Sequence, residues 1–112
     1  MYNLIKRTPA KLLTSIELEG RLLKLPRWQL TDDIISRQLE FPDFEATWSF
    51  LNQVALRSHL WGHHPKIVTN YNQVLIELTT HDAGGITDVD AKLAARIDLY
   101  AMGREKCAEN EL

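Results

Sequence analysis

The spacing of apolar positions switches repeatedly between helical and strand periods. Ile16, Leu22 and Leu23 predict a short helix with a buried stripe. Thr14-Ser15-Ile16-Glu17 opens it as a capping box, a hydroxyl followed three residues later by a carboxylate. Pro26 stops it, because the residue before a proline is biased away from the helical region. Trp28-Gln29-Leu30 reads as a short strand and Thr31-Asp32-Asp33 as a turn. Ile35, Arg37, Leu39 and Phe41 then alternate with Ile34, Ser36, Gln38 and Glu40, the period of a half-buried antiparallel strand. Asp43 is an N-cap for a second helix, in which Phe44, Trp48, Leu51 and Ala55 share one face. Gly62 marks its C-terminal end. Two strands, 67–71 and 74–80, follow around Asn70-Tyr71-Asn72, with Tyr71 read as core or turn packing. Val74, Ile76 and Leu78 lie on one face and Leu75, Glu77 and Thr79 on the other. After Gly84-Gly85, Thr87 and Asp90 form a second capping box, with Asp in the usual Glu position. Val89, Leu93, Ile97 and Tyr100 give the third helix its stripe.

The order is helix, two strands, helix, two strands, helix. It predicts an α+β fold, an antiparallel sheet with helices on one face. Residues 1–13 read as a flexible leading segment, 14–105 as one domain and 106–112 as a polar tail. At 112 residues and 45% apolar composition the chain supports one modest core, and a small core makes a homo-oligomer the expectation. A net charge of −2 argues against nucleic acid as a partner, because phosphate binding needs a basic face. No apolar run nears the roughly 20 residues of a membrane span. The lone Cys107 cannot form an internal disulfide, which points to a reducing, cytoplasmic setting. Lys6, Arg7 and Lys11 precede the first acid, Glu17, a faint organellar-import pattern better read as a frayed basic tail.

All four histidines fall at two ends of elements. His59, His63 and His64 close the second helix, and His81 follows the last strand. Three chemistries compete: surface or satisfied core histidines, a metal site, and metal-free proton transfer by groups that titrate near neutrality. His59 and His63 are four apart, as zinc-binding helical pairs are, but Gly62 interrupts the helix between them. No cysteine or close carboxylate completes a ligand set.

The whole pattern reads His59-x3-His63-His64-Pro65-x5-Tyr71-x9-His81-x8-Asp90, with Trp28 and Phe41-Pro42-Asp43-Phe44 upstream. It resembles the signature of the pterin-4a-carbinolamine dehydratases over about residues 14–105. That resemblance implies a four-stranded antiparallel sheet with three helices on one face. It also implies a homotetramer, a dimer of dimers joined through sheet edges and helices. The implied reaction removes water from 4a-hydroxytetrahydropterin to give quinonoid dihydropterin, in tetrahydrobiopterin recycling, without metal or organic cofactor. It implies a catalytic trio in which His63 and His81 transfer protons and His64 holds the substrate. His59, Pro65, Thr80 and Asp82 are implied at the pterin, and Trp28 could cover its ring or simply pack in the core. Asp90 is either a direct contact or the capping partner of Thr87. The family often has Glu at position 59 and Asp at position 62, so His59 and Gly62 remove two negative charges. Members of the family in animals also serve as dimerisation cofactors of a hepatocyte homeodomain transcription factor. A non-catalytic pterin-binding or cofactor role on the same fold is therefore the alternative.

Overall fold

A computed structural model describes residues 10–106; Cys107 and the rest of the predicted tail lie outside them. The elements are α1 (Ser15–Leu23), β1 (Gln29–Thr31), β2 (Ile34–Glu40), α2 (Phe44–Trp61), β3 (Lys66–Asn70), β4 (Gln73–Leu78), a 3-10 turn (His81–Ala83) and α3 (Asp88–Ala101). The α+β expectation holds. Two hairpins meet through their inner strands to give the antiparallel order β1-β2-β4-β3, and the helices cover one face. Each hairpin turns on a residue with positive φ, Asp32 at 56° and Tyr71 at 55°.

Register follows hydrophobicity. Ile35 pairs with Leu78, Arg37 with Ile76 and Leu39 with Val74. All six point to the helices and are buried, so a slip of one residue would expose the whole set. Arg37 is the exception in kind. Its guanidinium, 3% exposed, reaches Asp98 on α3 and Glu105 just beyond it, both at 2.6 Å.

Both capping boxes form as expected, Thr14 with Glu17 and Thr87 with Asp90. Asp43 caps α2 by accepting from the Ala46 N–H at 2.7 Å. Two stripes differ from expectation. In α2 the buried positions are Thr47, Phe50, Leu51, Val54 and Ser58. That face is rotated by roughly 70° from the expected one, at 3.6 residues per turn. Phe44 and Trp48 are instead half-exposed, and Phe44 stacks on Tyr71 with ring centroids 6.1 Å apart. Tyr71 is thus at a turn but not in the core. In α1, Ile16 and Leu23 point to solvent, and Leu18 and Leu22 pack against the core. A nine-residue helix at the periphery needs only a narrow contact line. Lys11 to Leu13, expected to be loose, are tied to the approach to α3. Leu13 N–H donates to Ile86 at 3.0 Å, and Asp88 N–H to Lys11 at 3.0 Å. Among the described residues no helix is long and apolar enough to cross a membrane.

Candidate active site

Three chain ends build the site. The first is the end of α2, where Gly62 adopts φ 67°, a left-handed conformation that glycine takes without strain. Its N–H donates to the His59 carbonyl at 3.1 Å, and the His63 N–H donates to Ser58 at 3.0 Å. This closure satisfies the last helical carbonyls and turns the chain so that His63 and His64 leave the helix axis. Pro65 then leads into β3, its ring limiting φ. A side chain at position 62 would be strained in this geometry, which gives a local reason for glycine where the family often has Asp.

The second is the end of β4. Thr80 pairs with Gly85 across an isolated bridge, and the 3-10 turn between them starts at His81. Gly84, at φ 80°, closes that turn. The third is the start of α3, where Asp90 occupies the capping position opposite Thr87.

Asp90 joins the three. It is fully buried, at 0% exposure. One carboxylate oxygen, Oδ2, accepts from the Thr87 backbone N–H at 2.9 Å, from Thr80 Oγ1 at 2.7 Å and from Thr87 Oγ1 at 3.2 Å. The other, Oδ1, lies 2.5 Å from His63 Nε2. Burial pushes the Asp90 carboxyl up. The hydrogen bonds from His63, the Thr87 backbone and Thr80, with the charge of His63, outweigh it and hold the group below its ordinary value. An ionised carboxylate has no hydrogen to give, so His63 Nε2 carries the proton and donates it. Nδ1 is then the nitrogen for proton exchange. The His63 side chain is 16% exposed.

His64 and His81 lie across one cavity of about 470 Å³, shared with Ile34, Pro65, Lys66, Glu77 and Thr79. Ile34, Glu77 and Thr79 alternate with the core-facing Ile35 and Leu78, which puts this cavity on the helix-free face of the sheet. The His59 and His64 rings stand edge to face at 6.0 Å. His63 does not line this cavity; the network it enters runs through Asp90 to Thr80, the residue before His81. A larger cavity of about 550 Å³ beside Gln38 and Gln73 is lined by no histidine and is not the site.

Asp82 is exposed next to His81. Thr80, expected to contact the pterin, spends its hydroxyl hydrogen on Asp90 or on Thr87 at 2.9 Å. Trp28 is 5% exposed, and its indole N–H donates to Asp98 at 2.9 Å. So buried, it offers a ligand no open face, and core packing is the role its surroundings support. Asp90 has no exposed surface for a ligand, and its carboxylate meets only His63, Thr80 and Thr87 among the described residues. Lys66 was not singled out in the sequence, Thr87 was read only as a helix cap, and Glu77 only as an outward-facing strand position. The alternation of β3 and β4 put Lys66 and Glu77 on the open face, but only the antiparallel register made them neighbours, 4.0 Å apart. Among the described residues no three His, Cys, Asp or Glu side chains converge as a ligand set for a metal.

Comparison with known proteins points to one family. The family description "Pterin 4 alpha carbinolamine dehydratase" matches residues 11–100. A Saccharomyces cerevisiae protein named "Putative pterin-4-alpha-carbinolamine dehydratase" is 41% identical, over 89% of this chain and 95% of its own. One of the same name from Acidobacterium capsulatum is 49% identical, over 77% of this chain and 94% of its own. Among solved structures, the transcriptional coactivator/pterin dehydratase of Brucella melitensis superposes with a TM-score of 0.76 at 35% identity, over 80% of this chain and 97% of that one. A pterin dehydratase-like protein described as a RuBisCO assembly factor in the alpha-carboxysome gives 0.57 at 27% identity, over 68% of this chain and 88% of that one. Fold, motif and relatives converge, and the chain belongs to the pterin-4-alpha-carbinolamine dehydratase family.

Proposed function

We propose that this protein dehydrates 4a-hydroxytetrahydropterin to quinonoid dihydropterin by histidine acid–base catalysis, in tetrahydrobiopterin recycling. The observation that carries the reading is the buried, ionised Asp90 2.5 Å from His63, coupled through Thr80 to a cavity that His64 and His81 share. Structural histidines on a surface do not need a buried carboxylate to fix their tautomer.

The hydroxyl on C4a leaves as water once protonated, and a ring nitrogen loses its proton as the new double bond forms. His63, through Nδ1, and His81 are the proton-transfer groups. Each contributes about 10²–10⁴-fold. His64, across the cavity from His81, holds the ring. Asp82 accepts from the pterin's N–H donors, and Pro65 and His59 complete the rim. Asp90 positions His63, and Thr80 and Thr87 position Asp90. Assay of purified protein with 4a-hydroxytetrahydropterin should show dehydration above the spontaneous rate, with His63→Ala and His81→Ala each losing most of it. Equal rates for all three proteins would sink the reading.

Activity is expected to survive exhaustive dialysis against a chelator, since proton transfer here uses only side chains. Loss on chelation with recovery on adding zinc would restore the metal chemistry. The chain is also expected to form a homotetramer in the cytoplasm. The edge strands β1 and β3 leave backbone groups open to pairing, and Leu56 and Leu60 are exposed one turn apart on α2. Light scattering should give roughly four times the mass of one chain, as a dimer of dimers requires. A monomer at micromolar concentration would contradict it.

A binding role, of the kind named in the coactivator and assembly-factor relatives, is the second reading. It predicts a folded protein that binds pterin or a protein partner and does not accelerate dehydration. The orientation of His63 by Asp90 favours chemistry.

A further inference from the structure

Trp61, the last residue of α2, is half-buried against the core. Three cations surround its ring. Lys92 Nζ lies 4.9 Å from the ring centroid, and the guanidinium carbons of Arg57 and Arg96 lie 5.2 Å and 5.8 Å from it. All three fall within the roughly 6 Å over which an aromatic face attracts a cation. The chain as a whole carries −2, so this gathering does not come from general basicity. Among the described residues, none of the three has a carboxylate within 4.0 Å. Asp88, one turn before Lys92, lines a groove of about 380 Å³ with it, together with Arg21 and Lys24. The Asp88 carboxylate accepts instead from the Lys11 backbone at 2.9 Å. Arg57 is held in place, with Nε donating to the Tyr100 hydroxyl at 3.0 Å, which leaves its two terminal nitrogens available to a ligand.

Three like charges held around one ring repel one another and lack a counter-charge, an arrangement suited to an oxyanion with several acceptor oxygens. The cluster lies on the helix side of the sheet, at the end of α2 that leads into His63. Trp61 and His63 flank Gly62, so their backbones are within about 7 Å of each other. We propose that Arg57, Lys92 and Arg96, gathered around Trp61, form a phosphate-binding cradle on the helix face, at the end of α2 that leads into His63. The phosphate is either an ester on the pterin's side chain or a free phosphate or pyrophosphate. The ester form rests on the dehydratase reading, and the free form does not.

The test uses full-length protein, wild type and the Arg57→Gln, Arg96→Gln and double variants, all checked for unchanged melting temperature. One arm titrates inorganic pyrophosphate calorimetrically. The other measures dehydration of two 4a-hydroxytetrahydropterins that differ only in a side-chain hydroxyl or phosphate. Pyrophosphate should bind wild type and bind the double variant at least about tenfold more weakly, the loss expected for charge-assisted hydrogen bonds. If the ester is the natural ligand, the variants raise KM for the phosphorylated substrate alone and leave the neutral one unchanged. Pyrophosphate binding with no preference for the phosphorylated pterin assigns the cradle to free phosphate. Equal pyrophosphate binding by wild type and double variant overturns the proposal, as does equally tight binding of an RNA oligonucleotide, which would make the patch a general polyanion surface. If wild type dehydrates neither pterin, the dehydratase reading fails and the pyrophosphate arm still decides the cradle.

Discussion

Replacing Asp90 with Asn should lower kcat by about 10²–10⁴-fold with little change in KM, because it inverts the tautomer of the histidine it holds. Asn has the same shape, so α3 can still be capped. The Thr87 backbone N–H requires an acceptor, so the amide oxygen takes the Oδ2 position and the NH₂ group faces His63. His63 Nε2 must then accept, and its proton moves to Nδ1, the nitrogen needed for exchange. A loss of helix capping alone would lower stability and leave the pH–rate profile in place. Altered proton transfer changes kcat and the shape of that profile. Thr87→Ser, which keeps the hydroxyl, should stay near wild type, and Thr87→Val should fall between wild type and Asp90→Asn. Wild-type kcat in Asp90→Asn would remove Asp90 from the mechanism. The same carboxylate has an acid signature. Its folded-state value lies below the ordinary value of an unfolded aspartate. Its contribution to stability is therefore complete above that unfolded value and is lost as pH falls through the folded one. Urea titrations should show wild type losing stability in that acid window and Asp90→Asn losing less.

The second large effect concerns stability. Asp98→Ala should destabilise the fold by about 3–5 kcal/mol, because it strips a partner from a buried guanidinium. Arg37 is 3% exposed, and Asp98 and Glu105 are 27% and 23% exposed. Asp98→Ala leaves Arg37 Nη1 and the Trp28 indole N–H unpaired where water cannot reach easily. Arg37→Met should cost less, since the two freed carboxylates can rehydrate and the methionine fills apolar space. Two-state urea denaturation of both variants gives the order directly. If Arg37→Met proves the costlier change, the carboxylates rather than the guanidinium are the groups that the fold must satisfy.

What could be read from the sequence was mostly local. Both capping boxes, the Asp43 cap and the Gly62 stop depend on residues within a turn of one another, and each forms. The β2 alternation was also legible, because a half-buried strand repeats every two residues. The α2 face was misread because its buried stripe includes the polar Thr47 and Ser58, and two of its large aromatics, Phe44 and Trp48, lie at the surface. Hydrophobicity therefore pointed to the wrong side. Arg37 was visible as a core-facing position, but its partners stand 61 and 68 residues away. The histidines and Asp90 were found by their spacing, and the Asp90 cap of α3 was read correctly, but its contact with His63 was not. That contact joins residues 27 apart in the chain, and no local pattern announces it.

On the proposed mechanism one carboxylate both caps α3 and aligns His63, so catalytic fitness and helix integrity share a single genetic locus. Selection for a sturdier α3 start cannot freely explore position 90, since Ser, Asn or Glu there would disturb the imidazole as well. Stabilising substitutions must accumulate elsewhere, on the outer surfaces of α1 and α3 where Ile16, Leu23 and Leu99 are exposed. In a mutational library, position 90 should therefore show a sharp preference for Asp alone, and the exposed positions 16, 23 and 99 should vary widely.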